Sequence, residues 1–130
     1  MIDVENDVFD RVYGAMEYLL PEGCFSAEYN PVPPALPFAT LIEMDNYTDT
    51  AKRGTADDEE FGILMYETNV YAESKAECRQ ITNALDSAMT RLGFHRLSLR
   101  PVDNLNDHTI HRMVGRYRAE VNQHKTVFRY

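Results

Sequence analysis

The stretch from Ser74 to Val121 constrains the fold more than any other part of this chain. It opens with Ser74-Lys75-Ala76-Glu77, a capping box. In that motif the Ser hydroxyl and the Glu carboxylate satisfy each other's orphan amides at a helix start. Ile81, Leu85, Ala88, Met89 and Leu92 then recur at helical spacing, and Gly93 offers a left-handed exit. The spacing predicts a helix ending at Leu92. Phe94 to Val102 alternates as a strand does, with Leu97 and Leu99 on one face and Arg96, Ser98 and Arg100 on the other. Asp103 to Asp107 reads as a turn. Thr109 to Asn122 alternates again: Ile110, Arg112, Val114, Arg116 and Arg118 against His111, Met113, Gly115, Tyr117, Ala119 and Val121.

Upstream, Val4, Val8, Val12, Ala15, Met16 and Leu19 mark a helix over roughly Asp3 to Leu20, with Asp3 read as its N-cap. Pro21-Glu22-Gly23 ends it. Cys24 to Asn30 reads as a short strand. The segment from Pro31 to Pro37 holds four prolines and cannot sit inside a sheet, because proline donates no ladder hydrogen bond. Phe38 to Asp45 is a strand with Phe38, Thr40, Ile42 and Met44 on one face and Ala39, Leu41 and Glu43 on the other. Phe61 to Tyr71 is a long strand. Between them, 46–60 is polar and acidic, and reads as a long loop or the tip of a long hairpin, mobile in the free protein. The tail from Lys125 to Tyr130 reads as a short strand or, within 123–130, a frayed end.

The expected order is α-β-β-β-α-β-β, an α+β fold with a mostly antiparallel sheet and two helices on one face. At 130 residues the chain reads as a single domain, 1–130. Its 44% hydrophobic and 26% charged residues are those of an ordinary globular protein. No run is long enough to span a bilayer, no signal peptide opens the chain, and no membrane partner is expected. Cys24 and Cys78 read as free thiols in a reducing compartment.

Charge is unevenly placed. Residues 1–73 hold sixteen acidic and three basic side chains, −13, whereas 74–130 hold five acidic and ten basic, +5. Such a chain suits head-to-tail contact between like subunits, unless the two sets interleave on the folded surface and cancel. The candidate assembly residues are Arg96, Arg100, Arg112, Arg116 and Arg118 as a basic strip, and Asp57, Asp58, Glu59 and Glu60 as its acidic counterpart. The same arginines also fit the solvated outer face of an antiparallel sheet.

Catalytic chemistry finds no foothold. No Ser-His-Asp, Cys-His or paired-carboxylate arrangement stands out, so no enzyme activity, cofactor or metal is expected. His108 and His111 would face opposite sides of a strand, which is poor geometry for one ion. The glycines at 14, 23, 54, 62, 93 and 115 form no phosphate loop. Overall acidity disfavours direct DNA binding.

Met89-Thr90-Arg91-Leu92-Gly93-Phe94, Pro101-Val102, Asn104-Leu105-Asn106-Asp107, Ile110-His111-Arg112 and Gly115-Arg116-Tyr117-Arg118 together give the chain a family likeness. It resembles the tail-terminator, or tail completion, proteins of long-tailed phages and prophages, and the element order fits that family across nearly the whole chain. The resemblance implies a small α+β subunit of a hexameric ring in the virion, assembled in the host cytoplasm. Such a ring caps the tail tube and joins it to the neck, with DNA passing through without sequence-specific contact. Its implied partners are other copies of itself, the tail tube protein and a neck or head-closure protein. A head-closure or neck adaptor, or a minor capsid protein, shares the pattern. From a different class, a small ferredoxin-like ligand-binding domain or enzyme is the alternative.

Overall fold

The computed structural model describes residues 3–21, 23–28, 33, 35–48, 61–102, 109–122 and 127–128. The fold is α+β in the order α-β-β-β-α-β-β, closed by one further short strand. Helix α1 spans Glu5–Met16, and three strands follow: β1 (Phe25–Ser26), β2 (Phe38–Thr48) and β3 (Phe61–Ala72). Helix α2 (Lys75–Leu92) leads to β4 (His95–Val102), β5 (His111–Asn122) and β6 (Val127–Phe128). The strands lie in the order β1-β2-β3-β5-β4, with β6 pairing the end of β5. Among the described residues, all pairings are antiparallel except β1 with β2.

Helix α2 forms as its sequence requires. The Ser74 hydroxyl accepts from the Glu77 amide at 3.1 Å, and Gly93 turns out of the helix at φ 106°. Cys78, Ile81, Thr82, Leu85, Ala88 and Met89 make its buried face. Helix α1 is shorter than its apolar spacing suggests. Val4, not Asp3, holds the N-cap position and offers no side-chain cap, while the Asp3 carboxylate accepts from the Glu5 amide at 3.3 Å. The helix stops at Met16, and the Leu19 amide bonds the Met16 carbonyl in a tighter turn. Pro21 disfavours helical backbone at Leu20, so the last turn unwinds ahead of it.

Strand β1 is two residues long, not the seven of Cys24 to Asn30, and it runs parallel to β2 with Phe25 opposite Ala39. A parallel neighbour needs a connection of about a dozen residues, and the stretch between β1 and β2 has that length. Strand β2 runs on to Thr48, so Asn46 to Thr48 belong to a hairpin arm rather than to a loop. Residues 49–60, the turn at 103–107 and most of the tail lie outside the described residues.

One face of the sheet carries both helices. Leu41, Leu64, Tyr66, Val70, Tyr117, Ala119 and Val121 bury there with Val8, Val12 and Met16 of α1 and Ile81, Leu85 and Met89 of α2. The two helices are not placed alike. Phe9 stacks on Phe25 of β1 at 4.9 Å, and Tyr13 lies 6.0 Å from the same ring, so α1 sits over the β1 end. Helix α2 contacts β3, β5 and β4.

Two bulges re-aim side chains. In β2 the register shifts between Glu43 and Asp45, which leaves Met44 unpaired and 55% exposed instead of in line with Ile42. In β4 it shifts between Arg96 and Ser98, so Leu97 is 48% exposed and no longer shares a face with Leu99. An extra residue in one strand breaks the two-residue alternation from that point on.

Candidate assembly surface

The β4 bulge divides the expected basic strip. Arg100, Arg112, Arg116 and Arg118 lie on the helix-free face of the sheet, by their pairing with Val114, Tyr71, Glu67 and Met65. Arg96 pairs opposite Tyr117 and lies on the other face, where its guanidinium meets Asp86 of α2 at 3.2 Å. The Tyr117 hydroxyl donates to the same carboxylate at 2.8 Å. Asp86 thus ties α2 to both β4 and β5. Beside it a shallow cavity of about 260 Å³ is lined by Asp86, Thr90, Phe94, His95 and Arg96.

Three of the remaining arginines differ in what holds them. Arg112 donates to Asn69 Oδ1 from Nη2 at 2.7 Å and from Nε at 3.2 Å, and its guanidinium stands 5.6 Å over the Tyr71 ring. Asn69 is fully buried, and its Nδ2 donates to Glu67 Oε1 at 3.2 Å. Glu67 Oε2 in turn receives Arg116 at 3.2 Å. This run of contacts crosses β5 and β3 twice and builds Arg112 into the sheet. Arg116 is its outer end, with a side chain 58% exposed. Arg100 is exposed, and among the described residues it has no ion pair. The acidic counterpart expected at Asp57, Asp58, Glu59 and Glu60 lies outside the described residues.

One group of described acidic residues lies at α1. On α1 and at its two ends, Asp3, Asp7, Asp10 and Glu17 are exposed, away from the buried Val4, Val8, Val12 and Met16. Arg11 is the basic residue among them, paired with Asp7 at 3.3 Å. Glu43, on β2 below the start of α1, accepts the Tyr66 hydroxyl at 3.1 Å. Burial pushes its carboxyl above the ordinary value, and Glu5 and Asp3 push the same way against the Tyr66 hydrogen bond. Among the described residues, part of the charge split of the sequence is also a split in space. Acidic α1 covers the β1 end of the sheet, and the arginines of β5 and β4 lie toward the other end. The two sets meet in the middle, where Glu67 pairs with Arg116.

Two signals escaped the sequence. Glu67 and Asn69 stand at alternate positions of a mostly apolar strand, a spacing that puts both on one face beside β5. The Asp86 pairing with Arg96 and Tyr117 has no signature at all, because it depends on the β4 bulge. The thiols are buried, and Cys78 donates to the carbonyls of Val70 and His111 at 3.4 and 3.6 Å. Burial raises the Cys78 thiol above its usual value, which suits packing rather than reactivity. Of the expected His108 and His111 pair, His108 lies outside the described residues. Among the described residues no group of three His, Cys, Asp or Glu could hold a metal ion. Among them also, no helix is long and apolar enough to cross a membrane. No protein-family model matches the chain, and no curated protein matches it.

Proposed function

We propose that this protein is a non-enzymatic ring subunit of a phage tail, a tail terminator that caps the tail tube and joins it to the neck. The motifs from Met89 to Phe94 and from Gly115 to Arg118 support this reading, as does the α-β-β-β-α-β-β order. One observation carries it: an acidic helix at one end of the sheet and a basic edge at the other. A subunit with complementary opposite ends associates head to tail, and head-to-tail contacts close into rings when the rotation permits.

Light scattering over a range of protein and salt concentrations, alone and with isolated tail tubes, tests the reading. Multimers that shrink as salt rises are expected, because exposed charge pairs are screened beyond about 8 Å at physiological ionic strength. Binding to tube ends supports tail termination. Rings that ignore the tubes would move the assignment to a neck adaptor. A monomer at every concentration, with and without tubes, removes it.

A further inference from the structure

We propose that the free edge of β4 docks against the outer face of α1 from a second copy of this chain. The inference rests on the ring reading and names its contact. β4 ends the sheet, and among the described residues no strand pairs its outer side. Such an edge is a template for another strand unless something blocks it. Here two devices block it. The bulge at Leu97 breaks the ladder, and Pro101 removes an amide. The edge is thus poorly suited to strand addition and better suited to side-chain contact.

Its side chains select the partner. Arg100 is exposed, Arg96 is half-exposed beside Asp86, and Leu97 projects from the bulge. Arg91, at the end of α2, is exposed nearby in sequence. A second β4 edge would set arginine against arginine. The outer face of α1 and the turn after it present the opposite: Asp7, Asp10 and Glu17, with Tyr13 38% and Tyr18 76% exposed. Leu97 against those tyrosines gives the contact an apolar centre, and the carboxylates facing Arg100 and Arg96 give it a polar rim. Because α1 covers the β1 end and β4 ends the other side, one subunit can make both halves of the contact at once. The contact is heterologous and propagates.

Two substitutions report on it without touching a charge. Gly14 lies on the outer face of α1 with nothing within 4 Å of an added Cβ, and Ser98 is exposed on β4. Cys24 and Cys78 are 2% and 1% exposed, so introduced thiols react first. A flexible bis-maleimide should link Gly14→Cys/Ser98→Cys protein into a covalent ladder of trimers and larger species. Either single variant should stay monomeric on a denaturing gel, and an equal mixture of the two should give only dimers. Arg100→Glu in the Ser98→Cys partner should abolish that dimer, and Asp10→Lys in the Gly14→Cys partner should restore it. Dimers from Ser98→Cys alone, or from Gly14→Cys alone, would overturn the assignment in favour of a two-fold contact. Oligomers by light scattering with no ladder would also overturn it, leaving the ring reading intact. A protein monomeric by both measures, with and without tail tubes, would remove both.

Discussion

Gly115→Ala should destabilise the fold, and the structure says by what route. Gly115 lies in the middle of β5, opposite Thr68 of β3 and Leu99 of β4. A Cβ there would come within 2.6 Å of Thr68 Oγ1, 3.0 Å of Leu99 Cδ1 and 3.0 Å of Tyr117 Cε2. Leu99 can swing aside, but the other two cannot easily give way. Thr68 is 1% exposed and stiff at its branched Cβ, and the Tyr117 ring is anchored by its hydroxyl on Asp86. Overpacking of this kind costs about 1–3 kcal/mol. Replacing a strand glycine returns about 0.5–1 kcal/mol of chain entropy. The net loss is about 0.5–2 kcal/mol, or about 2–8 °C in Tm for a domain of this size. Urea denaturation of Gly115→Ala, Thr68→Ala and the double variant checks the mechanism. Thr68→Ala removes the nearest atom, so the pair should couple by about 0.5–2 kcal/mol, with the double variant more stable than the two single losses imply. A Gly115→Ala protein as stable as the parent would refute the reasoning, as would strictly additive losses.

Arg112→Ala should cost about 1–3 kcal/mol by leaving the buried Asn69 carbonyl oxygen without its donor. Arg116→Ala should cost at most about 1 kcal/mol, since its pair with Glu67 is largely exposed on the arginine side; thermal unfolding that ranks the two in reverse order contradicts the network. Ser74→Ala should lower stability by about 1 kcal/mol through loss of the α2 cap, read from the urea midpoint. Glu43 binds its proton more tightly folded than unfolded, so its ionisation opposes folding, and that cost grows as pH rises through the carboxylate range to its raised value. Glu43→Gln keeps an acceptor for Tyr66 and stays neutral. It should therefore exceed the parent in stability at neutral pH and lose that advantage in acid below the ordinary carboxylate range; a difference independent of pH sinks the argument.

The local elements were legible because local chemistry decides them. Ser74 and Glu77 at the start and Gly93 at the end bound α2 as read, since capping depends on residues within one turn. The alternation of Arg112 to Val121 put Tyr117, Ala119 and Val121 on the helix-covered face, since strand periodicity is a property of the backbone. Helix α1 is shorter than its pattern because the apolar spacing of Ala15, Met16 and Leu19 continues past the point where Pro21 spoils the helical turn. The parallel pairing of β1 was hidden because the long connection after it permits either direction.

The candidate surface was legible only in part. Arginines at alternate positions of β5 necessarily share a face, and Arg112, Arg116 and Arg118 do. Strand alternation puts Arg96 with Arg100, but the unpaired Leu97 lies between them and leaves Arg96 on the face of Asp86. A bulge is settled by how two strands fit, and the pattern of one strand does not encode it. Sequence alone determined the amounts of charge, −13 before Ser74 and +5 from there on. Only the tertiary structure decided where those charges go. Strand order places β1 with α1 at one end and β4 at the other, and that order follows from packing apolar faces, with no regard to the charges they carry outward.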